Sequence, residues 1–448
     1  MPEFVKSEKL WPVVGLDSDG NGIVVGASGK EARVPGVFPG EMVELHAPFQ
    51  RNGVVRALSL KVVNPIQGRR KALCEDQERC GGCPWAGLER RVQIQWKVRM
   101  FLERAKKKGL QLLDCGVEAP DPEYAYRLRA RLAWKEEGGR TSIGYRIVHG
   151  PGLVVPRHCH VLDEGLERLR KELTGCLHRH LKGEGEVLLG VSDTEWGGSF
   201  VLTLRSACPQ PPSLYREVER LVEKGVLQGA RVAIGEGTQS TADFGVAAEF
   251  YRDGEGRMLR GAPGGFRQAH RQAAKVLGHL VLEGAQAEGK RVLELYAGSG
   301  LFTLALAARS SALDAVEIDR EAAEMNRHNL KAHGLEAKVW AEDAGQVLAK
   351  FLELSQKRKA TRPEVVVMDP PRGGAGAIIG RLLALQPERI VYVSCHAASL
   401  VDDLARLCKS YDLKRIVLVD LFPQTAHAEF VALLERHGMR GKGIQMAD

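Results

Sequence analysis

The stretch RVLELYAGSGLFTLALAA, residues 291–308, decides the fold of this chain. Its first residues are mostly apolar and predict a short strand that stops at Tyr296. Gly298 and Gly300 then allow the backbone to turn sharply and to approach a ligand closely. An apolar helix is predicted to open at Leu301. The stretch therefore predicts a strand, a glycine turn and a helix.

The glycine turn indicates a nucleotide-like cofactor and narrows its identity. A dinucleotide fingerprint would place a third glycine near Thr303 to seat a pyrophosphate, and this sequence has none there. Nicotinamide cofactors are therefore disfavoured, and S-adenosylmethionine is favoured. Because such turns also occur as plain connections between a strand and a helix, the assignment depends on the rest of the chain.

Downstream of this turn, strand and helix patterns alternate as a doubly wound α/β sheet requires. The predicted strands are 313–318, 337–341, 364–368, 389–394, 413–421 and 430–434, and the predicted helices include 271–283 and 320–333. In such sheets ligands bind at the carboxyl ends of the strands. The side chains that follow each strand are therefore the candidate site residues.

Acidic side chains follow three of these predicted strands. Glu317 lies about 20 residues after the glycine turn, where an acid can hold ribose hydroxyls, and Asp319 is the alternative. Glu342 and Asp343 follow the next strand, where the adenine edge of a cofactor would lie. Asp369 opens an Asp-Pro-Pro loop, which is rigid because proline fixes its backbone and donates no hydrogen bond.

Two further residues lie at the same predicted edge. Cys395 directly follows the strand 389–394, and the amino end of the next helix is expected to stabilise its thiolate. A buried structural cysteine is commoner, but this position favours a chemical role. Glu429 directly precedes the last strand, where the sequence alone favours a surface carboxylate.

The part of the chain that carries these residues resembles the RNA 5-methyluridine methyltransferases. LELYAGSGLFTL, VEID, MDPPRGG, YVSC and FPQTAHAEFV occur in the family's order and spacing, and the resemblance extends over nearly the whole chain. It is closest to the iron-sulfur subgroup that modifies 23S ribosomal RNA. The resemblance implies that Cys395 is the nucleophile and Glu429 the general base. It also implies contacts to cofactor or target base from Gln268, Tyr296, Glu317, Asp343 and Asp369.

The chain departs from the family pattern at four positions near the target pocket. Asparagine is usual where His270 and His396 stand, proline where Ala397 stands, and a polar residue where Leu301 stands. These departures leave the nucleophile, the base and the Asp-Pro-Pro loop in place. The resemblance therefore implies the reaction, while a transfer RNA enzyme and a catalytically altered, cofactor-binding RNA assembly factor remain as alternatives.

Composition agrees with a polyanionic partner. The chain of 448 residues has 64 Lys plus Arg against 56 Asp plus Glu, a net charge of +8. We expect an RNA partner, no membrane contact and no protein partner. The sequence shows neither a signal-peptide pattern nor an apolar run long enough to cross a bilayer, so a cytoplasmic location is expected. Its nine cysteines are then expected to be thiols, ligands or catalysts.

Three domains are predicted from the length and from shifts in pattern. Residues 1–64 show short strands between glycine turns, a small β-barrel pattern, and PGVFPGEMVEL at 35–45 resembles a TRAM domain. Residues 65–262 are predicted to form a β-rich, RNA-binding central domain with a linking helix near 90–110. Residues 263–448 are predicted to form the Rossmann-like methyltransferase domain.

A cysteine cluster and a basic strand mark the central domain. Cys74, Cys80 and Cys83 lie in a short glycine-containing loop, which favours a metal centre over a core position. The resemblance implies Cys159 as fourth ligand and a four-iron four-sulfur cluster. Zinc is the alternative, because three thiolates with His158 or His160 would satisfy it. Three arginines also alternate along a predicted strand 126–134, which favours phosphate binding by Arg127, Arg129 and Arg131.

Overall fold

The computed structural model describes residues 3–4, 10–26, 29–51, 54–112, 114–147, 152–194, 197–235, 240–357 and 362–438. The chain divides into two compact units. The first unit comprises Met1–Met100, Asp121–Glu249 and Phe422–His427, and the second comprises Phe101–Pro120, Phe250–Leu421 and Ala428–Asp448. The predicted three-domain boundaries stay predictions.

The helices and strands are numbered in chain order. The helices are α1 (Arg90–Lys107), α2 (Glu164–Leu177), α3 (Pro212–Glu223), α4 (Arg271–Ala285), α5 (Thr303–Ala307), α6 (Arg320–Ala332), α7 (Ala344–Lys357), α8 (Ile379–Leu385) and α9 (Ala397–Leu407). The strands up to residue 252 are β1 (Glu3–Phe4), β2 (Trp11–Leu16), β3 (Gly22–Val25), β4 (Glu31–Val34), β5 (Met42–Arg51), β6 (Val54–Asn64), β7 (Gly116–Glu118), β8 (Arg129–Glu137), β9 (Arg140–Arg146), β10 (Leu153–Val154), β11 (Glu184–Thr194), β12 (Gly197–Ser206), β13 (Gly229–Ile234), β14 (Ser240–Gly245) and β15 (Glu249–Arg252). The remaining strands are β16 (Met258–Gly261), β17 (Arg291–Leu295), β18 (Ala312–Val316), β19 (Lys338–Trp340), β20 (Val365–Met368), β21 (Arg389–Ser394), β22 (Tyr411–Val419) and β23 (Glu429–Arg436).

The amino-terminal sheet of the first unit closes on itself. Its strand order is β1-β5-β2-β3-β4-β6, and β5 also pairs with β6. Alternate residues of the short strands point inward, so that Trp11, Val13, Val24 and Val43 share one buried core. This closed arrangement agrees with the small β-barrel predicted for the first 64 residues.

The second sheet of this unit has the order β10-β9-β8-β11-β12-β13-β14. Most neighbours are antiparallel, although β12 and β13 run parallel. The buried faces of α2 and α3 pack against the sheet, and Leu166, Leu173, Leu214 and Val218 are each at most 2% exposed. The predicted β-rich character of this region is therefore confirmed, although the strand expected from residue 126 begins at Arg129.

The second unit contains a doubly wound sheet of order β19-β18-β17-β20-β21-β23-β22-β7. The neighbouring strands from β19 to β21 run parallel, and β23 runs antiparallel to both of its neighbours. The chain order reverses between β17 and β20, which is where such sheets bind ligands. Every residue of β20 is fully buried, as the unbroken apolar run 365–368 predicts.

The described helices include none that is both long enough and apolar enough to span a membrane. Two details of the second unit differ from expectation. The helix predicted to open at Leu301 begins at Thr303. The three-residue strand β7 adds an unexpected parallel edge to the sheet by pairing with β22.

Candidate active site and cysteine site

The glycine turn after β17 has the sharp backbone turn that its sequence predicts. Tyr296, Gly298 and Gly300 all have positive φ values, of 62°, 56° and 101° respectively. At Gly300 a Cβ would also lie 3.1 Å from the Asn326 side chain, so glycine suits this position on both grounds. The turn thus leaves its backbone open at the ligand-binding edge of the sheet.

Glu317 holds this turn from the end of β18. Its Oε2 accepts a hydrogen bond from the Gly298 backbone N–H at 2.8 Å, and its Oε1 accepts one from Asp319 N–H at 2.8 Å. Asp319 itself accepts from Ala322 N–H and caps the amino end of α6. Of the two predicted acids, Glu317 is therefore the one that contacts the turn.

A third acid in this region was missed by the sequence analysis. Glu294 lies within β17, is 1% exposed, and its Oε2 accepts a hydrogen bond of 2.6 Å from Thr303 Oγ1. Asn326 Nδ2 donates to the same hydroxyl oxygen at 3.0 Å. Burial raises the pKa of Glu294 to about 8, and the Asp369 and Glu317 carboxylates add to the rise. The feature of the sequence that could have indicated this buried acid is a single charged residue, Glu294, inside an apolar run.

Cys395 and Glu429 lie opposite each other, next to the last cross-strand pair of β21 and β23. Ser394 at the end of β21 pairs with Phe430 of β23, so Cys395 follows one member of the pair and Glu429 precedes the other. Asp369 follows β20, whose last residue pairs with β21. The thiol and both carboxyls therefore meet at one edge of the sheet, as the sequence predicted.

The pKa values of Cys395, Asp369 and Glu429 are all raised, as expected for groups that are buried close to one another. Burial raises the pKa of the Cys395 thiol to about 11, with further increases from the Glu429 and Asp369 carboxylates, while the Arg372 guanidinium opposes the rise. Burial also raises the pKa of Asp369 to about 7. The pKa of Glu429 is raised well above its ordinary value by burial and then by Asp369, again opposed by Arg372.

One expectation about these groups is wrong, and another stays a prediction. Burial and two neighbouring carboxyls raise the pKa of the Cys395 thiol, whereas the amino end of α9 is expected to favour the thiolate. Glu429 is not a surface carboxylate but is 2% exposed, and its Oε2 has no hydrogen-bond partner among the residues that the structure describes. A buried acceptor without a partner is costly, and a site that binds a ligand explains it.

The other predicted contact residues lie in the same unit. Gln268 precedes α4, is 7% exposed, and its Oε1 is buried without a hydrogen-bond partner in the described part of the chain. Burial raises the pKa of Tyr296 to about 12, and the Asp343 carboxylate contributes to the rise. Asp343 is exposed, and its Oδ1 accepts from Gln346 N–H at 3.1 Å.

The two histidines that depart from the family pattern cap helices. His270 Nδ1 accepts a hydrogen bond from Ala273 N–H at the start of α4, and His396 Nδ1 accepts one from Ser399 N–H at the start of α9. Asparagine, the usual residue, is a favoured helix cap, so histidine serves the same local purpose here. Leu301 packs beside the apolar cluster that contains Leu304.

In the first unit, the four predicted cysteines line one cavity of about 170 Å³. The thiols on its wall belong to Cys74, Cys80, Cys83 and Cys159. Tyr145 Oη donates a hydrogen bond to Cys159 Sγ at 3.7 Å, and Cys159 N–H donates to Glu167 Oε1 at 3.2 Å. Burial raises the pKa of Cys83 above its usual range, and the neighbouring Cys159 adds to that rise. The structure thus brings the four cysteines together.

The thiols of this cavity are the donor type that both predicted metal centres, an iron-sulfur cluster and a zinc ion, require. Within the described residues, no group of three or more His, Cys, Asp or Glu side chains is arranged to hold one metal ion. Zinc draws its thiolates to about 2.3 Å, whereas a cluster interposes iron and sulfide and keeps the thiolates apart. Of the two histidines, His160 lines the cavity, and His158 Nδ1 lies 3.6 Å from Glu167.

The basic strand differs from the phosphate-binding face that was predicted. Arg129 and Arg131 do alternate with buried residues, but each forms an ion pair. Arg129 Nη2 lies 3.3 Å from Glu249, which is nearly buried, and Arg131 Nη2 lies 2.6 Å from Glu186. Arg127 donates to the Arg129 carbonyl and lines the cysteine cavity. Arg129 is therefore poorly placed for phosphate.

Known proteins support both the fold and the family. A crystal structure titled tRNA (uracil-54, C5)-methyltransferase from Pyrococcus abyssi, in complex with S-adenosyl-L-homocysteine, superposes with a TM-score of 0.69 at 21% identity. The match covers 97% of this chain and 100% of that chain, so the two share a methyltransferase fold. The family described as tRNA (Uracil-5-)-methyltransferase matches residues 253–437.

Curated relatives extend the similarity along the whole chain. The 23S rRNA (uracil(1939)-C(5))-methyltransferase RlmD of Pseudomonas fluorescens strain Pf0-1 is 31% identical over 431 residues, which cover 94% of this chain and 90% of that protein. The protein of the same name from Pseudomonas putida strain KT2440 is 31% identical over 432 residues, with 94% and 92% covered. The chain belongs to the RNA 5-methyluridine methyltransferase family.

Proposed function

We propose that this protein transfers a methyl group from S-adenosylmethionine to C5 of a uracil in RNA, with 23S ribosomal RNA as the substrate. The observation that carries the proposal is the placement of Cys395 and Glu429 opposite each other, next to one cross-strand pair, beside Asp369 and on the same sheet as the glycine turn. The 23S rRNA names of the relatives support the choice of RNA. Such a substrate also supports action in the cytoplasm.

The proposed reaction needs a nucleophile and a base in contact with one uracil. Uracil C5 is a poor nucleophile, so Cys395 loses its thiol proton to solvent, adds to C6 as the thiolate and creates an enolate whose C5 is nucleophilic. C5 would then take the electrophilic methyl group of S-adenosylmethionine, and the broken methyl–sulfur bond would leave S-adenosylhomocysteine. Glu429 then removes the C5 proton, the C5–C6 double bond re-forms, and Cys395 leaves as a thiolate. Atoms balance, and no oxidant or reductant is required.

Burial explains why the proposed base and its neighbour suit this chemistry. A carboxylate in a desolvated site with a raised pKa is a stronger base than one in water, so Glu429 can accept the C5 proton. Asp369 and Gln268 are proposed to orient the uracil ring, and the Asp369 carboxylate would accept a hydrogen bond from uracil N3–H. A uracil that is paired inside a double helix cannot enter this active site. The target uridine must therefore be unpaired or flipped out of the helix.

Five residues are proposed to hold S-adenosylmethionine beside the uracil, namely Tyr296, Gly298, Gly300, Glu317 and Asp343. Gln268 and Asp369 are proposed to contact both the cofactor and the uracil. The buried Gln268 oxygen and the open turn are the features of this structure that fit a bound nucleotide-like group.

Replacing Glu317 with Ala is expected to weaken S-adenosylmethionine binding about 10- to 100-fold, because Glu317 both holds the Gly298 N–H and faces the proposed ribose position. Isothermal titration calorimetry of the purified protein measures the effect. Glu324→Ala removes an equal charge from the exposed face of α6 and is the matched control. Equal affinities for both variants would remove Glu317 from the proposed cofactor site.

We further propose that the four cysteines of the first unit hold a four-iron four-sulfur cluster, with zinc as the runner-up. The support is the cavity lined by four thiols and, among the described residues, by no carboxylate. Because the proposed reaction needs no electron, the cluster is assigned a structural or RNA-contacting role. The amino-terminal barrel is proposed to be a TRAM domain, followed by the central domain to residue 262 and the methyltransferase domain from 263.

Protein purified without oxygen is expected to be brown and to contain about four iron and four sulfide per chain. Replacing Cys159 with Ser should release the iron, whereas Cys208→Ser should retain it, because Cys208 lies outside the cavity. Tyr145→Phe should keep the iron but lower the reduction potential, because the hydrogen bond to Cys159 is lost. Stoichiometric zinc without visible absorption would contradict the cluster.

The proposed function is tested by methyl transfer to RNA isolated from a strain that lacks the gene. We expect label from S-adenosylmethionine to appear in 23S rRNA as 5-methyluridine and not in the transfer RNA fraction. Label in transfer RNA would favour the tRNA enzyme instead. Cofactor binding with no label in any RNA would favour the assembly factor.

A further inference from the structure

An open groove of about 310 Å³ lies in the first unit between helix α1 and the segment that follows β6. One wall is a single stripe of α1, because Arg91, Gln95 and Arg99 are four residues apart and share a face. The other wall is formed by Ile66 and Gln67. Ligand pockets usually have volumes of roughly 300 to 1,000 Å³, and the volume of this groove lies near the lower end of that range.

The aromatic side chain in this groove is already organised for stacking. Trp96 packs on the buried cluster that contains Trp85, and its ring lies 6.2 Å from that of Phe38. The Arg99 guanidinium lies over the Trp96 ring, with Cζ 4.9 Å from the ring centroid. The plane of Arg99 is therefore supported by a ring that is itself fixed by the core.

Charge and hydrogen-bonding groups in the groove match an unpaired nucleotide. Arg91 and Arg99 lie about 12 Å apart along the helix, and their long side chains can reach inward to the phosphates on the two sides of one nucleotide. Gln67 and Gln95 are exposed and supply amide donors and acceptors at the level of a base edge. Arg91 also pairs with Glu89 at 2.7 Å, but this pair is exposed and can exchange for a phosphate.

We propose that this groove binds one unpaired nucleotide of the RNA substrate, distinct from the uridine that is methylated. Arg91 and Arg99 contact the flanking phosphates, and the base stacks on the Arg99 guanidinium plane above Trp96. The proposal rests on the proposed function, because it requires an RNA substrate. It gives the basic helix α1, which carries seven basic residues and one acidic residue, a specific role in RNA binding.

The test uses the full chain, purified with its metal centre, and a fluorescein-labelled 20-nucleotide single-stranded RNA of mixed sequence. The double variant Arg91→Gln, Arg99→Gln should bind this RNA about tenfold more weakly at 0.1 M salt. Its plot of log affinity against log salt should be less steep by about 1.4, since each lost phosphate contact removes about 0.7. Affinity for S-adenosylmethionine should not change.

The matched control is Arg168→Gln, Arg216→Gln, which removes the same charge from exposed positions on α2 and α3. It should bind the RNA within about twofold of the wild-type protein. RNA substituted with 4-thiouridine should crosslink on irradiation to the peptide that contains Trp96. Equal affinity and equal salt slope for the two double variants, or crosslinks that avoid this peptide, would overturn the inference while leaving the methyl-transfer proposal intact. Wild-type protein that binds neither this RNA nor 23S rRNA would overturn both.

Discussion

Replacing Cys395 with Ala is expected to abolish methyl transfer, and replacing Glu429 with Gln is expected to leave the protein joined covalently to methylated RNA. The two outcomes differ because the residues act at different points of one pathway. Without Cys395 no group adds to C6, so C5 never becomes nucleophilic. Without the Glu429 carboxylate, addition and methyl transfer still proceed, but the C5 proton remains and the thiolate cannot leave.

The trapped species should run as a slower band on a denaturing gel, and it should require both S-adenosylmethionine and RNA. Turnover by Glu429→Gln should fall by about 10²- to 10⁴-fold. The double variant Cys395→Ala, Glu429→Gln should show no band. Cys408→Ala changes a different half-buried cysteine of the second unit and should behave like wild type. Normal turnover by Glu429→Gln would rule out Glu429 as the base, and a band that persists without Cys395 would rule out Cys395 as the nucleophile.

The second large effect concerns stability rather than catalysis. Glu294→Gln is expected to stabilise the cofactor-free protein, and the gain should grow as the pH rises from about 5 to about 8. The folded state holds the Glu294 proton up to a pKa of about 8, whereas the unfolded chain releases it near the ordinary value of 4.5. The free energy of unfolding of the wild-type protein therefore falls as the pH rises from about 4.5 to about 8.

The replacement amide does not ionise, so this loss disappears, and its oxygen can still accept from Thr303 Oγ1. We expect a gain of about 4 kcal/mol at pH 8 and of about 1 kcal/mol or less at pH 5. Urea unfolding followed by circular dichroism at several pH values measures it. Glu353→Gln, at an exposed position of α7, is the control and should give no pH-dependent gain. A Glu294→Gln variant that is destabilised at pH 8 would show that the acid is needed in its ionised form.

The sequence predicted the doubly wound sheet because each parallel strand is an apolar run, and it predicted which residues share an edge because strand ends meet there. Cys395, Asp369 and Glu429 were placed together on that basis. The chemical state of these groups was not predictable in the same way. Burial of Glu429 and the raised pKa of Cys395 depend on neighbours that are distant in sequence.

Non-local contacts account for the other differences. The strand β7 is only three residues long, and its pairing with β22 joins residues about 300 positions apart. The motif FPQTAHAEFV reads as one catalytic segment, yet Phe422–His427 belongs to the first unit. There the Gln424 carbonyl accepts from Trp85 N–H at 2.9 Å, and the Gln424 and Gln93 side chains are hydrogen-bonded. No local pattern in the motif indicates these contacts.

The most direct test of the proposed chemistry uses the wild-type protein and RNA in which uridine is replaced by 5-fluorouridine. Fluorine at C5 cannot be removed as a proton, so the reaction should stop after methyl transfer. Mass spectrometry of the digested complex is predicted to find the methylated 5-fluorouridine nucleotide on the peptide that contains Cys395, and only when S-adenosylmethionine is present. No adduct, or an adduct on a different residue, would contradict the account.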